Sequence, residues 1–324
     1  MRVLVTGGSG FIGSHVVDAL WRSGHEPRIF DIVRSPYDTE TETRIGDILD
    51  GRVLRSAMRG CDAVIHLAAV ADVNDVVADP TRAELVNASG TAQLLEATRH
   101  EGVRRVVYAS TIWVYGSTGS AGRVDEDTPV GAPAHLYTAT KLAGELYCQA
   151  HTASSGAEHV ILRFGIPFGP RARPSTVLAA FVARALEGKA LTITGSGTQS
   201  RQFVFVTDLA EGVVAALTGP ANRTYNLVGH ERVSVRQIAE TVQTLVAPVP
   251  IVHVADRDGD LANIDVSGAR AAAELGWRAT VSFREGAEAY IASLMRTNET
   301  PSRSPALIRE GSAAAVARQE PGEL

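Results

Sequence analysis

Three side chains have the types and spacing to move a proton on and off a hydroxyl group. Tyr137 and Lys141, in Tyr137-Thr138-Ala139-Thr140-Lys141, stand four residues apart and so share one face of a helix. A free tyrosine titrates at about pH 10 and is a poor base at neutrality. A lysine beside it favours the phenolate, and a positively charged nicotinamide ring would favour it further. Such a pair can remove a hydroxyl proton as hydride leaves the same carbon. The third group lies in Tyr108-Ala109-Ser110-Thr111-Ile112-Trp113-Val114-Tyr115-Gly116, at the carboxyl end of an apolar run. A hydroxyl there can hydrogen-bond the oxygen that the tyrosine deprotonates. Either Ser110 or Thr111 could do this, the other being a capping or loop residue.

Hydride needs a carrier, and the first turn of the chain is built for one. Thr6-Gly7-Gly8-Ser9-Gly10-Phe11-Ile12-Gly13 places Gly7, Gly10 and Gly13 in a G-x-x-G-x-x-G spacing between an apolar strand and a helix. Glycines permit a tight turn and let the backbone approach a pyrophosphate, while the helix amino terminus offers free N–H groups. No Gly-Lys-Ser/Thr follows, so this is not the phosphate loop of an ATPase. Asp31 ends the next apolar run, 18 residues past Gly13. A carboxylate there binds the adenosine ribose hydroxyls and repels a 2′-phosphate, which selects NAD over NADP. Arg34, three residues on, is the candidate for the opposite preference.

These groups require a scaffold, and the pattern supplies one. Arg2–Val5, Arg28–Phe30, Asp62–His66, Arg105–Tyr108 and His159–Leu162 read as strands with almost no polar face. Helical periodicity fits Phe11–Arg22, and helices are expected at Pro80–His100 and His135–Ser154. Strands alternating with helices argue for an α/β fold, a doubly wound parallel sheet covered on both sides. Gly165, Pro167, Gly169, Pro170 and Pro174 then break the rhythm. Residues 1–165 are therefore expected to form the dinucleotide-binding body with the catalytic residues. Residues 166–299 should form a smaller mixed α/β lobe over the carboxyl edge of the sheet. The stretch 300–324, rich in Pro, Ser, Ala and charge, reads as a disordered tail.

Composition narrows the class. The 324 residues are 45% hydrophobic and 21% charged, which suits a globular protein and excludes a mainly disordered or fibrous one. A net charge of −5 offers no broad basic face for nucleic acid or anionic lipid. No apolar run approaches the roughly 18 residues that span a bilayer. The opening MRVLVTGGSGFIG does not read as a signal peptide, so a cytoplasmic address is expected. Cys61 and Cys148 lack metal-ligand spacing, so no metal is expected and both thiols should be buried.

With these motifs in place, residues 2–295 resemble the extended short-chain dehydrogenase/reductase superfamily, in its NAD-dependent epimerase/dehydratase branch that includes UDP-glucose 4-epimerase. Further motifs fall in the family's order: Gly46-Asp47-Ile48, His66-Leu67-Ala68-Ala69, Asn87 with Gly90-Thr91, Leu162-Arg163, Gly169-Pro170, Gln199-Ser200-Arg201, Val206-Thr207-Asp208 and Leu275-Gly276-Trp277. The resemblance implies a Rossmann-type sheet with Asp47 and Ile48 beside the adenine. It puts Leu67, Ala68 and Ala69 along the ribose and phosphates and Asn87 near the nicotinamide. Thr111 becomes the catalytic hydroxyl, Tyr137 the acid and base, and Lys141 the group that lowers the tyrosine's pKa and holds the nicotinamide ribose. Arg201 and Arg257 match the family's two arginines for the diphosphate of a nucleotide-sugar substrate. Paired N–H donors from two segments suit that group. A homodimer through helices 80–100 and 135–154 is also implied.

Two departures shape the expected reaction. Sugar 4,6-dehydratases and nucleotide-glucuronate decarboxylases of this family carry an acid two positions after the catalytic threonine, where this chain has Ile112-Trp113. Loss of water or carbon dioxide is therefore disfavoured. Ile166 replaces an asparagine that helps bind the substrate diphosphate in many nucleotide-sugar epimerases, which leaves a small ketone as a further substrate class. The expected activity is a nucleotide-sugar epimerase, with a nucleotide-keto-sugar reductase as the alternative. A non-catalytic dinucleotide sensor is a third class, and the intact Thr–Tyr–Lys set argues against it.

Overall fold

Apolar runs become strands here because both of their faces are covered. The computed structural model describes residues 1–255 and 264–299, which leaves Arg257 and the expected tail from Thr300 outside the described residues. Strand β1 (Arg2–Thr6) leads through the glycine turn to α1 (Phe11–Arg22), then β2 (Glu26–Asp31), β3 (Thr43–Ile45), α2 (Gly51–Met58) and β4 (Ala63–His66). Short helices α3 (Val73–Ala78) and α4 (Pro80–Glu84) pass through a π-helical turn at Leu85–Ser89 into α5 (Gly90–Glu101). Next come β5 (Arg105–Thr111), β6 (Arg123–Val124), α6 (Leu136–Ser155) and β7 (Glu158–Phe164).

The rest of the described chain comprises β8 (Ile166–Phe168), α7 (Val177–Leu186), β9 (Leu191–Thr194), β10 (Ser200–Phe205), α8 (Val206–Ala215) and β11 (Arg223–Leu227), followed by β12 (Arg232–Ser234), α9 (Val235–Leu245), β13 (Ile251–Val254), β14 (Asp265–Val266), α10 (Ala269–Glu274) and α11 (Phe283–Glu299).

Seven parallel strands form the central sheet in the order β11-β7-β5-β4-β1-β2-β3. Val3, Leu4 and Val5 are fully buried, as a strand between two helical layers must be. On one face Val16 and Leu20 of α1 share a core with Leu209 and Val213 of α8. On the other, Leu54 and Met58 of α2, Leu94 of α5 and Cys148 of α6 pack over Leu4, Val64 and Val106. Cys61 and Cys148 are buried free thiols.

One expected boundary differs. β11 lies beyond residue 165 yet pairs with β7 as the outer strand of the sheet, and α8 covers α1. The segment 206–227 is thus part of the dinucleotide-binding body. Polar Arg223, Thr224 and Asn226 hide that strand from a hydrophobic reading, although Tyr225 and Leu227 are fully buried. The remaining carboxyl part has its own core, in which Phe168, Phe203, Phe205 and Phe283 meet ring to ring.

Candidate active site

A cavity of about 520 Å³ opens along the carboxyl ends of the parallel strands, where such sheets hold ligands. At one end lies the glycine turn. Gly7 has φ +72°, and a Cβ there would stand 2.8 Å from the Ala68 nitrogen. A Cβ on Gly13 would stand 2.1 Å from the Gly7 oxygen, so any side chain would lift the helix off the turn. Gly10 is the N-cap of α1 and no side chain caps it, which leaves the helix N–H groups open beside Phe11 and Ile12. These features fit the pyrophosphate of a dinucleotide.

Asp31 reaches this turn from the end of β2. Its carboxylate accepts from the backbone N–H of Ser9 at 3.0 Å and of Val33 at 3.3 Å. Burial holds the carboxyl above its ordinary range, against the pull of those hydrogen bonds. Asp47, Ile48, Leu67, Ala68 and Ala69 line the cavity, with Asp47 paired to Arg82 at 2.7 Å. Asp31→Ala should weaken NAD binding about ten- to a hundredfold, the cost of a hydrogen bond to a charged group. Titration of NAD and NADP checks it, and equal NAD affinity in variant and parent would remove this role from Asp31.

Asn87 stands behind the wall rather than on it. It is 1% exposed; its amide accepts from the Val70 N–H at 2.8 Å and donates to the Val70 carbonyl at 2.9 Å. It also donates to Thr140 at 3.2 Å. It lies in the middle of the π-helical turn, among that turn's buried residues. Asn87 therefore positions Val70, which does line the cavity.

The other end holds Thr111, Trp113, Tyr137 and Lys141. Lys141 is buried and donates to the Ala109 carbonyl at 2.9 Å, which fixes its ammonium 6.0 Å from the centre of the Tyr137 ring. Burial lowers Lys141 to about 8 and pushes the Tyr137 phenol up to about 12. The choice between the two hydroxyls is decided by their partners. Ser110 donates to Glu145 at 2.5 Å, and Glu145 forms a buried ion pair with Arg163 at 2.7 Å. Thr111 accepts only from the Trp113 N–H, at 3.3 Å, among the described residues, and its own hydrogen is available. Tyr115 anchors the following loop by donating to Asn226 on β11 at 2.8 Å.

Sequence reading singled out Trp113, which lines the cavity, but missed Glu145, His135 and Arg173. Glu145 lies four residues beyond Lys141, a spacing that could have revealed it. The ring of Trp113 meets His135 edge-on at 4.9 Å and Tyr137 at 6.3 Å, and no local pattern marks that cluster. Arg173 also lines the cavity. Arg201, on β10, is absent from the wall and donates to the Ser200 carbonyl at 2.9 Å.

His66 closes the strand β4 beneath the site. Nδ1 lies 2.8 Å from the Thr6 hydroxyl and Nε2 3.0 Å from that of Thr91. Thr91 donates to the Asn87 carbonyl, so the Nε2 hydrogen goes to Thr91 and the ring is neutral. Burial lowers His66 to about 3. Above about pH 6.5 the ring is neutral in both the folded and the unfolded chain. Below it the unfolded chain takes a proton that the fold refuses, so stability falls by up to about 1.4 kcal/mol per pH unit toward pH 3. Urea titrations between pH 7 and 4 should show a shallower slope for His66→Asn.

One cavity that joins a dinucleotide cradle to a tyrosine–lysine helix face is the mark of the extended short-chain dehydrogenases/reductases. A sequence profile of the NAD dependent epimerase/dehydratase family matches residues 3–228, and the chain belongs to that family. It is 32% identical to the uncharacterized UDP-glucose epimerase YtcB of Bacillus subtilis (strain 168), over 91% of this chain and 99% of that one. The structure of UDP-glucose 4-epimerase from Thermus thermophilus, in complex with NAD, matches at TM-score 0.85 and 33% identity, over 91% of this chain and 99% of that chain. UDP-glucuronic acid 4-epimerase from Bacillus cereus, in complex with UDP-glucuronic acid and NAD, matches at TM-score 0.84 and 30% identity, over 92% and 100%. UDP-glucuronic acid decarboxylases and dTDP-glucose 4,6-dehydratases are also among the relatives. The protein is an enzyme of this family and its cofactor is NAD. Among the described residues no helix is long and apolar enough to cross a membrane.

Proposed function

We propose that the protein is a nucleotide-sugar 4-epimerase. The observation that carries this reading is the absence, among the described residues, of a carboxylate from the catalytic end of the cavity. The described acids that line it are Asp31 and Asp47, both at the adenine end, while Trp113 stands where dehydration or decarboxylation would need a proton donor. Likeness to 4-epimerases supports the same choice.

In this reading Gly7, Gly10, Phe11, Ile12, Gly13, Asp31, Asp47, Ile48, Leu67, Ala68 and Ala69 hold the cofactor, with Asn87 bracing Val70 behind it. When bound, NAD supplies a two-electron acceptor that takes hydride from a sugar carbon and returns it. Tyr137 removes the sugar hydroxyl proton as that carbon becomes a ketone, and Thr111 hydrogen-bonds the same oxygen. Lys141 keeps a positive charge near the phenolate and would hold the nicotinamide ribose. The keto sugar turns over to present the other face of its carbonyl carbon for the returning hydride, and Tyr137 gives the proton back to its oxygen. Arg201 and Arg257 are the candidates for the substrate diphosphate. A homodimer through α5 and α6 belongs to the same reading, and Leu146 and Tyr147 stand exposed on α6 to serve it.

Net redox is zero in such a cycle, which gives a direct test. Purified protein is incubated with UDP-, GDP-, dTDP- and CDP-sugars, without added cofactor. Epimer formation over many turnovers is the expected result. Product that accumulates only with stoichiometric reduced cofactor would overturn this reading in favour of a keto-sugar reductase.

A further inference from the structure

Helix α6 carries Tyr137 and Lys141, and its first turn is closed by a residue that titrates. His135 is the N-cap, with extended backbone at φ −155° and ψ 164°. Its Nδ1 accepts from the Thr138 N–H at 3.2 Å, and the Thr138 hydroxyl lies 3.1 Å from the same nitrogen. Serine, threonine, asparagine and aspartate usually fill this place, with a side-chain oxygen that keeps its acceptor character at neutrality. Thr138 is fully buried, so water does not reach its amide as a substitute acceptor. Tyr137 is the second helical residue, inside the turn that this bond closes.

The phenol depends on that turn more than its partner does. Lys141 lies one turn further in and is fixed by the Ala109 carbonyl at 2.9 Å. No hydrogen bond from a described residue holds the Tyr137 phenol. Its ring is placed by the backbone of the first turn and by neighbouring rings. His135 lies 6.1 Å away between centres, tilted by 35°, and itself meets Trp113 edge-on at 4.9 Å. One imidazole thus closes the turn and flanks the phenol. Only the neutral ring can do so, because a protonated Nδ1 has no lone pair for the Thr138 amide. An imidazolium would also stand at the positive end of the helix dipole. Burial lowers His135 below its ordinary value, against the pull of its own backbone. No charged side chain of a described residue bears on it. Trp113, from the segment after β5, is uncharged, and Tyr137 is the titratable neighbour on α6.

We propose that His135 is a positioning residue whose neutral imidazole caps α6 and holds Tyr137 in place for proton transfer. This rests on the epimerase reading above, in which Tyr137 moves the proton, and deepens it. The test compares His135→Asn, which restores an acceptor that does not titrate, with His135→Ala, which has none. Turnover, KM and NAD affinity are measured from about pH 5 to 8, and hydrogen exchange at the Thr138 amide is followed by NMR without substrate. At about pH 7.5 the Ala variant should lose at least about fivefold in kcat, equivalent to the roughly 1 kcal/mol of a lost cap, with KM and NAD affinity within about twofold of the parent. Thr138 protection should fall with it, and Asn should recover most of both. The cap is present above the lowered pKa and lost below it. Parental kcat and Thr138 protection should therefore decline together as pH falls below 6.5, while the Asn variant keeps both. An Ala variant with parental turnover overturns the proposal. So does an Asn variant that is as slow as Ala, or one that keeps the parent's acid limb. Thr138 protection that follows this pattern in a protein that epimerises no sugar would support the cap while refuting the epimerase reading.

Discussion

Tyr137→Phe should lower epimer formation by about 10²–10⁴-fold, the range for losing a positioned acid–base group. The change removes one oxygen and keeps the ring that meets Trp113 edge-on at 6.3 Å and lies 6.0 Å from the Lys141 ammonium. The fold and the glycine turn are untouched, so NAD affinity should stay within a few-fold of the parent. Steady-state turnover, with NAD titrated in parallel, separates the two quantities. The parent's pH profile adds a sign. With the phenol raised to about 12 and Lys141 lowered to about 8, the charge that favours phenolate is lost as pH rises through about 8. Activity should decline on that alkaline side. A phenylalanine variant that keeps a third of parental turnover would show that Tyr137 is not the proton-transfer group.

Glu145→Ala carries the largest expected cost to stability, about 3–5 kcal/mol. Side chains of Arg163 and Glu145 are 7% and 2% exposed, so removing the carboxylate strands a buried guanidinium. Arg163 Nη1 already has no hydrogen-bond partner among the described residues, and Ser110 would lose its acceptor as well. Urea unfolding should show the loss as a lower midpoint. Turnover should fall too, because Ser110 fixes the end of β5 from which Thr111 projects. Replacing both charges, Arg163→Met with Glu145→Leu, should recover much of the stability. An unchanged midpoint in Glu145→Ala would mean that the pair contributes nothing to the fold.

How much of this was legible in the sequence depended on how local each signal was. α1 runs over Phe11–Arg22 as its apolar spacing indicates, and α6 begins one residue after His135, its N-cap. Those helices pack one stripe against the sheet, so periodicity marks them directly. The helix expected at Pro80–His100 is interrupted by a π-helical turn around Asn87, whose amide pairs with Val70 across 17 positions. No periodicity reports such a bond. The same holds in the site. Tyr137 and Lys141 are four residues apart and readable together, but the choice of Thr111 over Ser110 depends on Glu145, 35 residues from Ser110. His135 carries no motif of its own; its meaning comes from the Thr138 N–H that it caps and from the Trp113 ring, on the far side of β6 in the chain.

Strand β11 also bears on how the chain emerges from the ribosome. Until residue 227 has been synthesised, β7 is an open sheet edge with unpaired backbone groups. The apolar face of α1 likewise lacks its cover until α8 is made. A nascent chain stopped near residue 165 thus holds β5 and α6, which carry the Thr–Tyr–Lys set, yet exposes both an edge and an apolar layer. Such a species is prone to self-association rather than to stable folding. Completion of the cofactor-binding body waits on a segment that lies on the far side of the β8–β10 region in the chain.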